Sequence, residues 1–457
     1  MTNIYSDALR FSDPELLASD YLNAFYNATP ISFPISPFEM LNYERVTFVL
    51  RNFKKLEGVY IPAKGEDDVP IVSINARRPI TRQRFTAAHE LCHHLKDSDN
   101  QIACAIGARD ASEKFADAFA SALLMPMFEL RKKVNQYSDE NGNVSLESVL
   151  HIADYFGVSF ESCLYRIAYK IHAIDGDTSP DSLKKRIKKF KPDNVRKMLG
   201  LTYLDLYCDL VDNYAEQLRF TPNDNARYLF EHEYIYNDSR MEGAEVTIEE
   251  ASEIVTDLRL NAQNSTYCNE EHEAYMSIAG HYKMYQSIFE SPTKDTLSIY
   301  DTFLLNRDLF SYYPCPEFGG NPRQQNVLVL GAKFEAVDFR DIYPELAKID
   351  VEIKSFFEKR HELKPSEYIM HIARVHHRIT VIHPFPEGNG RTSRAFMNMQ
   401  LVRSELSPIY IKVEEKDEYI SALELADKEG NYTNLYEIIF KVMIRVHAEM
   451  YSSNAST

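Results

Sequence analysis

The 457-residue chain lacks features that would place it in a membrane or outside the cell. No stretch of about 18 uncharged apolar residues occurs, so a transmembrane helix is not predicted. The first residues, MTNIYSDALRFSDPELL, contain no basic start followed by an apolar run, so a secretory leader is not predicted either. The six cysteines form no CxxC pair, which argues against a disulfide framework or a thiolate zinc site. We therefore expect a cytoplasmic protein with buried, unreactive thiols.

The sequence also lacks an excess of basic charge. It has 68 acidic and 51 basic residues, a formal net charge of -17. Because nucleic-acid affinity comes mainly from clustered Lys and Arg, this balance argues against a general nucleic-acid-binding protein. One basic run, SLKKRIKKFKPDNVRK, begins at Ser182 after the turn-forming stretch DGDTSPD. Since like-charge runs are usually solvated, we interpret it as a segment between domains, with a local nucleic-acid contact as the alternative.

The chain has no internal repeat or low-complexity segment, and its length predicts two or three domains. Short strand-like runs at 59–61 and 71–74 precede two helical patterns. Beyond about Leu204, segments with a 3.6-residue period dominate, with one strand pair predicted near 327–330. The predicted segments are an α+β domain over residues 1–175, a basic linker over 176–202 and a mostly α-helical domain over 203–457.

The first half contains TAAHELCHHLK, in which His89 and His93 are four residues apart and project from one face of a helix. Two imidazoles at that spacing can share one metal ion, and Glu90 beside them can take a proton from a metal-bound water. A second helical pattern, SEKFADAFASALLMP, places Glu113 and Asp117 four residues apart. Glu113 can complete a His₂Glu zinc site, and Asp117 can accept the free ring N–H of a ligating histidine. The alternative is that all five are ordinary surface residues of two helices.

These stretches resemble the ImmA/IrrE-type metallopeptidase domains through RQRFTAAHELCHHLK, EKFADAFASALLMP and LHIADYFGVSFESCLYRIAY, over roughly residues 30–170. The resemblance implies a zincin-like fold, zinc ligation by the two histidines and Glu113, and Glu90 as general base. Two positions depart from the family pattern: Cys92 stands where glycine is common, and Asp117 where asparagine is frequent. Because family members often cleave a partner regulator, a peptide substrate is implied.

The second half contains HPFPEGNGRTSR, between two helical patterns, SEYIMHIARVHHRITVI and TSRAFMNMQLVR. Gly388 and Gly390 allow backbone N–H groups to converge at a helix N-terminus, which is a ready anion site. Arg391 and Arg394, three residues apart, add guanidinium groups suited to phosphate oxygens. The pattern predicts a loop that binds a polyphosphate, with an anion-free tight turn as the alternative.

Two further residues of this loop have chemical roles. Glu387 is compatible with a nearby phosphate only if a cation lies between them, so it indicates a divalent metal such as Mg²⁺. His383 stands at the edge of the phosphate site, where a neutral imidazole can take the proton from an attacking hydroxyl. We therefore predict that His383 is a general base.

The loop resembles the Fic family, whose signature HxFx(D/E)GNGRxxR is matched at every fixed position. The resemblance covers roughly residues 230–440 and includes YNDSRMEGAEVTIEE, GGNPRQQNVLVLG and EYISALELADKEGNY. Fic domains typically transfer AMP from ATP to a Ser, Thr or Tyr hydroxyl of a protein. The resemblance implies that His383 deprotonates this hydroxyl, Glu387 holds Mg²⁺ and Asn389 contacts the α-phosphate. The two arginines of the loop are implied to hold the outer phosphates.

The segment GGNPRQQNVLVLG resembles the flap hairpin of the family, which pairs its edge with the target protein by strand addition. The residues predicted to form this target flap are Gly320, Arg323, Asn326 and Val327. Pro322 replaces the aromatic residue often found there, and it has no N–H to offer an incoming strand. A plain surface hairpin is the alternative.

The segment SRMEGAEVT resembles the inhibitory motif (S/T)xxxE(G/N) of the family, with Glu242 and Gly243 at the fixed places. The resemblance implies an inhibitory helix near 236–246, from which Glu242 pairs with Arg394 and blocks the γ-phosphate. The position four before Glu242 is Asp238 instead of Ser or Thr, and its carboxylate can still cap a short helix. The alternative is an exposed glutamate at a helix end.

The sequence thus predicts a zinc-peptidase-like domain joined to an autoinhibited Fic adenylyltransferase that uses ATP, Mg²⁺ and Zn²⁺ and modifies a target protein. One rival hypothesis is that peptidase activity is the principal function and the Fic half regulates it. A second is that the metal domain is a non-catalytic docking module that brings targets to the Fic loop.

Overall fold

A computed structural model describes residues 13–65, 67–96, 102–105, 110–261, 273–290, 296–329 and 334–451. Contacts within the chain define two compact units, which meet in the sequence at Tyr214 and Ala215. A small sheet with helices forms the first unit, and helices dominate the second, so the predicted two-part architecture is confirmed. Across the described ranges, no helix is long and apolar enough to cross a bilayer.

The first unit contains one four-stranded sheet. Its strands are β1 (Thr47–Arg51), β2 (Leu56–Ile61), β3 (Ile71–Asn75) and β4 (Ile102–Ala105). The strand order is β1-β3-β2-β4, in which β1 is parallel to β3 and the other pairs are antiparallel. The strands predicted at 59–61 and 71–74 are therefore confirmed.

The described helices of the first unit are α1 (Pro14–Tyr26), α2 (Pro37–Tyr43), α3 (Ile80–Lys96), α4 (Ala111–Leu124), α5 (Met127–Tyr137), α6 (Leu146–Phe156), α7 (Phe160–Arg166), α8 (Pro180–Phe190), α9 (Pro192–Met198) and α10 (Leu204–Asn213). A π-helical segment, Ile167–Ile171, extends α7. Side chains alternate between the two faces of β1, and Phe48 and Leu50 point to the buried face. Helix α3 packs on β2 and β3. On its other side α3 packs against α4, which buries Phe119 and Leu123. The two predicted metal-binding helices therefore pack against each other, with α3 on the sheet.

The last helix of this unit, α10, is tied to the sheet and to α3. Arg84 on α3 is 0% exposed and forms a 3.1 Å ion pair with Asp209 on α10. The backbone N–H of Leu50 donates to the hydroxyl of Tyr214 at 3.1 Å. Because of these contacts, residues 203–214 belong to the first unit. The sequence analysis had assigned them to the second domain, which it began at residue 203.

The segment 176–202, predicted as a basic linker, forms α8 and α9 of the first unit. Leu183 on α8 is buried, and Arg196 on α9 pairs with Asp154 on α6 at 2.5 Å. The lysines of α8 are exposed: Lys184, Lys185, Lys188 and Lys189. The basic run is therefore the solvated face of a folded helix, anchored through its few buried residues.

The described helices of the second unit are α11 (Asp224–Tyr228), α12 (Ile235–Met241), α13 (Ile248–Asn261), α14 (Glu273–Phe289), α15 (Asp301–Leu309), α16 (Ile342–Glu358), α17 (Pro365–Ile382), α18 (Asn389–Arg403), α19 (Lys416–Glu429) and α20 (Thr433–Met450). A π-helical segment, Leu229–Tyr234, joins α11 to α12. Short 3₁₀ turns lie at Pro316–Phe318, Phe339–Asp341 and Val413–Glu415.

The strand pair predicted near 327–330 is absent from the described residues on either side of this segment, because 321–329 and 334–338 form no strand. Residues 330–333 lie outside the described part of the chain. The β-hairpin of the predicted flap is therefore not formed by the residues that the structure describes.

The core of the second unit surrounds the antiparallel pair α17 and α18. Ile379 on α17 and Phe396 on α18 are fully buried together with Leu305 on α15 and Ile349 on α16. Pro365 at the first position of α17 starts that helix without losing a hydrogen bond. The loop between α17 and α18 is thereby held at one end of a rigid helical pair.

Candidate active sites of the two units

Four donor side chains converge in the first unit. The Nε2 atoms of His89 and His93 are 3.1 Å apart, and each lies 3.4 Å from an oxygen of Glu113. The Sγ atom of Cys104 on β4 lies 3.4 Å from Nε2 of His89 and 3.6 Å from Oε1 of Glu113. All four side chains are buried. The structure thus brings the predicted ligands together and adds Cys104, which the sequence analysis took to be an unreactive thiol.

The expectation that the cysteines are buried is met by only some of them. Cys92 and Cys163 are buried, whereas Cys208 is half-buried and Cys315 is exposed. Cys268 lies outside the described residues. Burial therefore does not describe all the thiols of this chain.

Asp117 lies where the sequence analysis placed it, with its Oδ1 atom 3.0 Å from Nδ1 of His89. This contact leaves Nε2 of His89 to face the other donors. Burial alone would lower the pKa of His89, but hydrogen bonds to Asp117 and Glu113 raise it to about 9. Negative charge that favours a proton here equally favours a divalent cation, and the N, O and S donors are those that zinc takes in proteins.

Glu90 is fully buried beside this cluster. Burial raises the pKa of its carboxyl to about 7, which suits a general base or acid at neutral pH. Among the described residues, its two oxygens have no hydrogen-bond partner beyond the thiol of Cys104, which acts to lower the pKa. A Cβ atom on Gly58 of β2 would lie 2.2 Å from Oε1 of Glu90, so a glycine is required for this carboxylate to fit.

In the second unit, His383 ends α17 with a left-handed backbone, at φ 51°. Its side chain is half-buried at the start of the loop. Burial lowers the pKa of His383 below its ordinary value, and the positive charge of Arg323 adds to this effect. The imidazole is therefore neutral at pH 7 and able to accept a proton.

The N-terminus of α18 lies at the position where the sequence predicts an anion site. Gly388 precedes the helix at φ 77°, and the first N–H groups of an α-helix have no partner within the helix. Arg391 donates to Oγ of Ser277 at 3.2 Å, and its buried Nε has no hydrogen-bond partner among the described residues. The side chain of Glu387 is exposed at the same end of the helix. These groups leave donors and a carboxylate available to a ligand.

Asn389 has a different environment from the one the resemblance implied. Its Nδ2 donates to the carbonyl of Phe385 at 2.8 Å, and its Oδ1 accepts from the N–H of Phe385 at 2.9 Å. The side chain is 4% exposed. Both polar atoms of this amide bind the backbone of Phe385, so Asn389 stabilises the conformation of the loop. The resemblance had implied a contact with the α-phosphate instead.

The structure places Glu242 against Arg394. Nη2 of Arg394 donates to Oε1 of Glu242 at 2.6 Å. A Cβ atom on Gly390 would lie 2.8 Å from the same Oε1, so the carboxylate rests on the first turn of α18, where an anion would bind. Gly243 follows at φ 95°, which turns the chain away directly after Glu242.

Asp238 makes the second contact to Arg394. Its Oδ1 accepts from Nε of Arg394, and its Oδ2 lies 2.8 Å from Nε2 of His281. Burial would raise the pKa of Asp238, but Arg394 and His281 lower it to about 2. The prediction that Asp238 caps a short helix is wrong, because it lies inside α12, which continues from α11 through the π-helical segment and ends before Glu242.

Arg323 was predicted to contact a target protein, but the structure directs it inward. It is 4% exposed, and its Nε donates to the carbonyl of His383 at 2.7 Å. Its backbone N–H donates to the carbonyl of Pro384 at 2.9 Å. Arg323 therefore holds the two residues at the start of the loop in place.

The other predicted flap residues also use polar groups internally. Gly320 donates its N–H to Oδ1 of Asn306 at 2.9 Å, and Nδ2 of Asn326 donates to Asp338 at 3.1 Å. Val327 is half-buried, whereas the adjacent Leu328 is 84% exposed. Leu328 thus presents an apolar side chain to solvent.

Asn306 on α15 is a site residue that the sequence analysis missed. It is fully buried, and its Nδ2 donates at 3.1 Å both to the carbonyl of Glu387 and to Oγ1 of Thr392. Through Oδ1 it also holds Gly320, so one side chain joins the flap segment to the loop. No motif surrounds Asn306 in the sequence, and its role follows only from the packing of α15 against α18.

Two segments of the chain match known protein families. Residues 49–168 match the IrrE N-terminal-like domain, and residues 296–401 match the Fic/DOC family. The first segment contains the metal-site residues, and the second contains the loop from His383 to Arg394. Both predicted resemblances are confirmed, whereas Glu242 lies before the second matched segment.

Curated relatives match over short stretches. Protein adenylyltransferase fic-1 of Caenorhabditis elegans is 38% identical over 52 residues, which are 11% of this chain and 10% of that protein. Protein adenylyltransferase Fic of Drosophila mojavensis is 38% identical over 71 residues, 16% of this chain and 14% of that protein. The chain therefore spans only a small part of the length of these relatives. A solved structure of Fic-1 from C. elegans is 16% identical and covers 80% of this chain and 97% of that chain, with a TM-score of 0.45.

Proposed function

We propose that the second unit transfers AMP from ATP to a Ser, Thr or Tyr hydroxyl of a protein, and that Glu242 inhibits this reaction within the same chain. The observation that carries the proposal is the loop geometry: a neutral His383 at one end and a helix N-terminus with two arginines at the other. The match of residues 296–401 to the Fic/DOC family supports the same reaction.

The reaction requires a proton acceptor near the α-phosphorus. The acceptor hydroxyl gives its proton to a ring nitrogen of His383, and its oxygen forms a bond to the α-phosphorus. The bond between the α-phosphorus and the oxygen bridging to the β-phosphate breaks, and pyrophosphate leaves. Arg323 keeps His383 in position through the carbonyl contact at 2.7 Å.

The departing phosphates carry the negative charge that the loop must stabilise. Among the described residues, none forms a hydrogen bond with Nε of Arg391, and the N-terminus of α18 adds backbone donors and the helix dipole. Glu387, whose carboxylate is exposed at this end of the helix, would hold Mg²⁺, which when bound neutralises phosphate charge. Arg394 serves the outermost phosphate once Glu242 has left it.

A test uses the Glu242→Gly protein with Mg-ATP and a protein lysate. We expect peptides whose Ser, Thr or Tyr side chains have gained AMP, detected by tandem mass spectrometry. The Glu242→Gly, His383→Ala double variant is the matched control and should give none. Equal modification by both proteins would contradict the role of His383.

We also propose that the first unit binds one zinc ion through His89, His93 and Glu113. The convergence of these three buried donors within 3.4 Å carries this proposal. Zinc held by these three ligands would supply Lewis-acid activation of a water, and Glu90 would act as the base that takes its proton. Peptidase activity is the function that this arrangement supports, with docking of target proteins as the rival.

Glu90→Gln separates these two functions. The variant keeps the size of the side chain and removes its basicity, so zinc-dependent cleavage of a peptide library should stop. Recruitment of a target protein by a docking module should not change. Cleavage at the wild-type rate by Glu90→Gln would contradict the peptidase proposal.

A further inference from the structure

We propose that Cys104 is a fourth protein ligand, which closes the metal site of the first unit. The proposal rests on the zinc site proposed above and adds a residue outside the motifs that predicted it. Cys104 is 4% exposed, and its Sγ lies 3.4 Å from His89 and 3.6 Å from Glu113.

The distances between donors fit one tetrahedral ion. With Zn–N and Zn–O distances near 2.0–2.1 Å and Zn–S near 2.3 Å, tetrahedral geometry separates two nitrogens by about 3.3 Å and sulfur from nitrogen or oxygen by about 3.5 Å. The nitrogens of His89 and His93 are 3.1 Å apart, and each lies 3.4 Å from Glu113. The separations from Cys104, 3.4 and 3.6 Å, match the values expected for a sulfur ligand.

The sheet explains why this cysteine faces the helices. Cys104 on β4 lies directly opposite Gly58 on β2, so the two residues share one face of the sheet. That face is the one toward α3, because a Cβ atom on Gly58 would collide with Glu90. Because Gly58 has no side chain, the carboxylate of Glu90 fits against β2 beside Cys104 and the other three donors.

A zinc ion with four protein ligands keeps no position for a water molecule. Glu90 would then have no activated water from which to take a proton. The site with Cys104 bound is therefore a closed, structural site. Peptidase activity requires Cys104 to leave the metal, which makes this thiol the residue that decides between the two functions considered for the first unit.

The test replaces zinc by Co²⁺ in the full chain. We expect wild-type protein to bind one Co²⁺ and to show a thiolate-to-cobalt charge-transfer band in the near ultraviolet. Cys104→Ala should lose this band and still bind one Co²⁺. Cys163→Ala, which removes a buried thiol from α7, is the matched control and should keep the band.

The affinity of the site should also change. Loss of a residue that only hydrogen-bonds to a metal ligand typically costs about 10–100-fold in affinity. Because Cys104 is proposed to be a ligand itself, its loss should cost at least as much, and Cys104→Ala should bind metal at least about tenfold more weakly. If that variant does not fold, X-ray absorption of the zinc-loaded wild type provides the test without a substitution. It should show one sulfur at about 2.3 Å from zinc.

The outcomes distinguish this proposal from the one on which it rests. One bound metal per wild-type chain without the charge-transfer band, or without a sulfur neighbour, would overturn ligation by Cys104 and leave the three-ligand site intact. Wild-type protein that binds no metal would overturn the zinc site itself, and ligation by Cys104 with it.

Discussion

Glu242→Gly should strongly accelerate AMP transfer by the second unit. In the structure the carboxylate of Glu242 lies 2.6 Å from Arg394 and rests on the first turn of α18. Under the proposed mechanism, a phosphate of ATP would need this position. After the substitution Asp238 still binds Nε of Arg394 and keeps the guanidinium in its orientation, while Nη2 becomes available to a phosphate.

The expected size of the effect follows from the charges removed. A charge-assisted hydrogen bond contributes about 1.5–3 kcal/mol. Because the side chain of Glu242 is 34% exposed, solvent screening reduces the pair to about 1–2 kcal/mol. Repulsion between this carboxylate and a phosphate oxygen at the same place adds a similar amount. A total near 2.7 kcal/mol corresponds to roughly a hundredfold increase in rate.

The assay measures incorporation of label from adenosine-labelled Mg-ATP into protein. Glu245→Gly removes a carboxylate from the same exposed segment without touching Arg394, and its rate should equal that of the wild type. The double variant Glu242→Gly, Arg394→Ala should be slow again, because the released partner is missing. Equal rates for wild type and Glu242→Gly would refute the inhibitory role of Glu242.

Three further predictions concern single residues. His383→Ala should abolish transfer but leave ATP binding nearly unchanged in calorimetry, because the base acts only on the incoming hydroxyl; normal transfer would contradict this. Elemental analysis should find one zinc per wild-type chain and none in His93→Ala; zinc retained by the variant would contradict the role of His93 as a ligand. Asp238→Asn should lower the free energy of unfolding by about 1.5–3 kcal/mol at pH 7, since buried Arg394 loses one of its two charge partners and keeps Glu242. The pKa of Asp238, about 2, lies below its ordinary 3.8, so its stabilisation is full above pH 4 and is lost as the pH falls toward 2. Urea unfolding should show the difference between wild type and variant shrinking by about 2 kcal/mol over that range; a constant difference would contradict the assignment.

Residues that share one helix were placed well from the sequence. The spacing of His89 and His93 fixes their common face, and the same holds for Glu113 and Asp117, because helix geometry is nearly invariant. Cys104 could not be found in this way. It reaches the cluster from a strand, through its register with Gly58, and no spacing along the chain records that pairing.

The second unit shows the same limit. The pairing of Glu242 with Arg394 follows a short motif, whereas Asp238 was interpreted only as a carboxylate that can cap a short helix. In the structure the helix already begins at Asp224, so Asp238 lies on an internal turn and faces Arg394. Arg323 was assigned to the target flap, whereas packing turns it toward the loop. The direction of a side chain depends on neighbours that are distant in sequence.

The most direct test of the central claim is the position of the label that reaches protein. Glu242→Gly protein is incubated with Mg-ATP labelled either at the α-phosphate or at the γ-phosphate, and the products are separated from free nucleotide. Attack on the α-phosphorus predicts that the α-label becomes bound to protein and that the γ-label leaves in pyrophosphate. Protein that carries the γ-label, or neither label, would contradict AMP transfer by this chain.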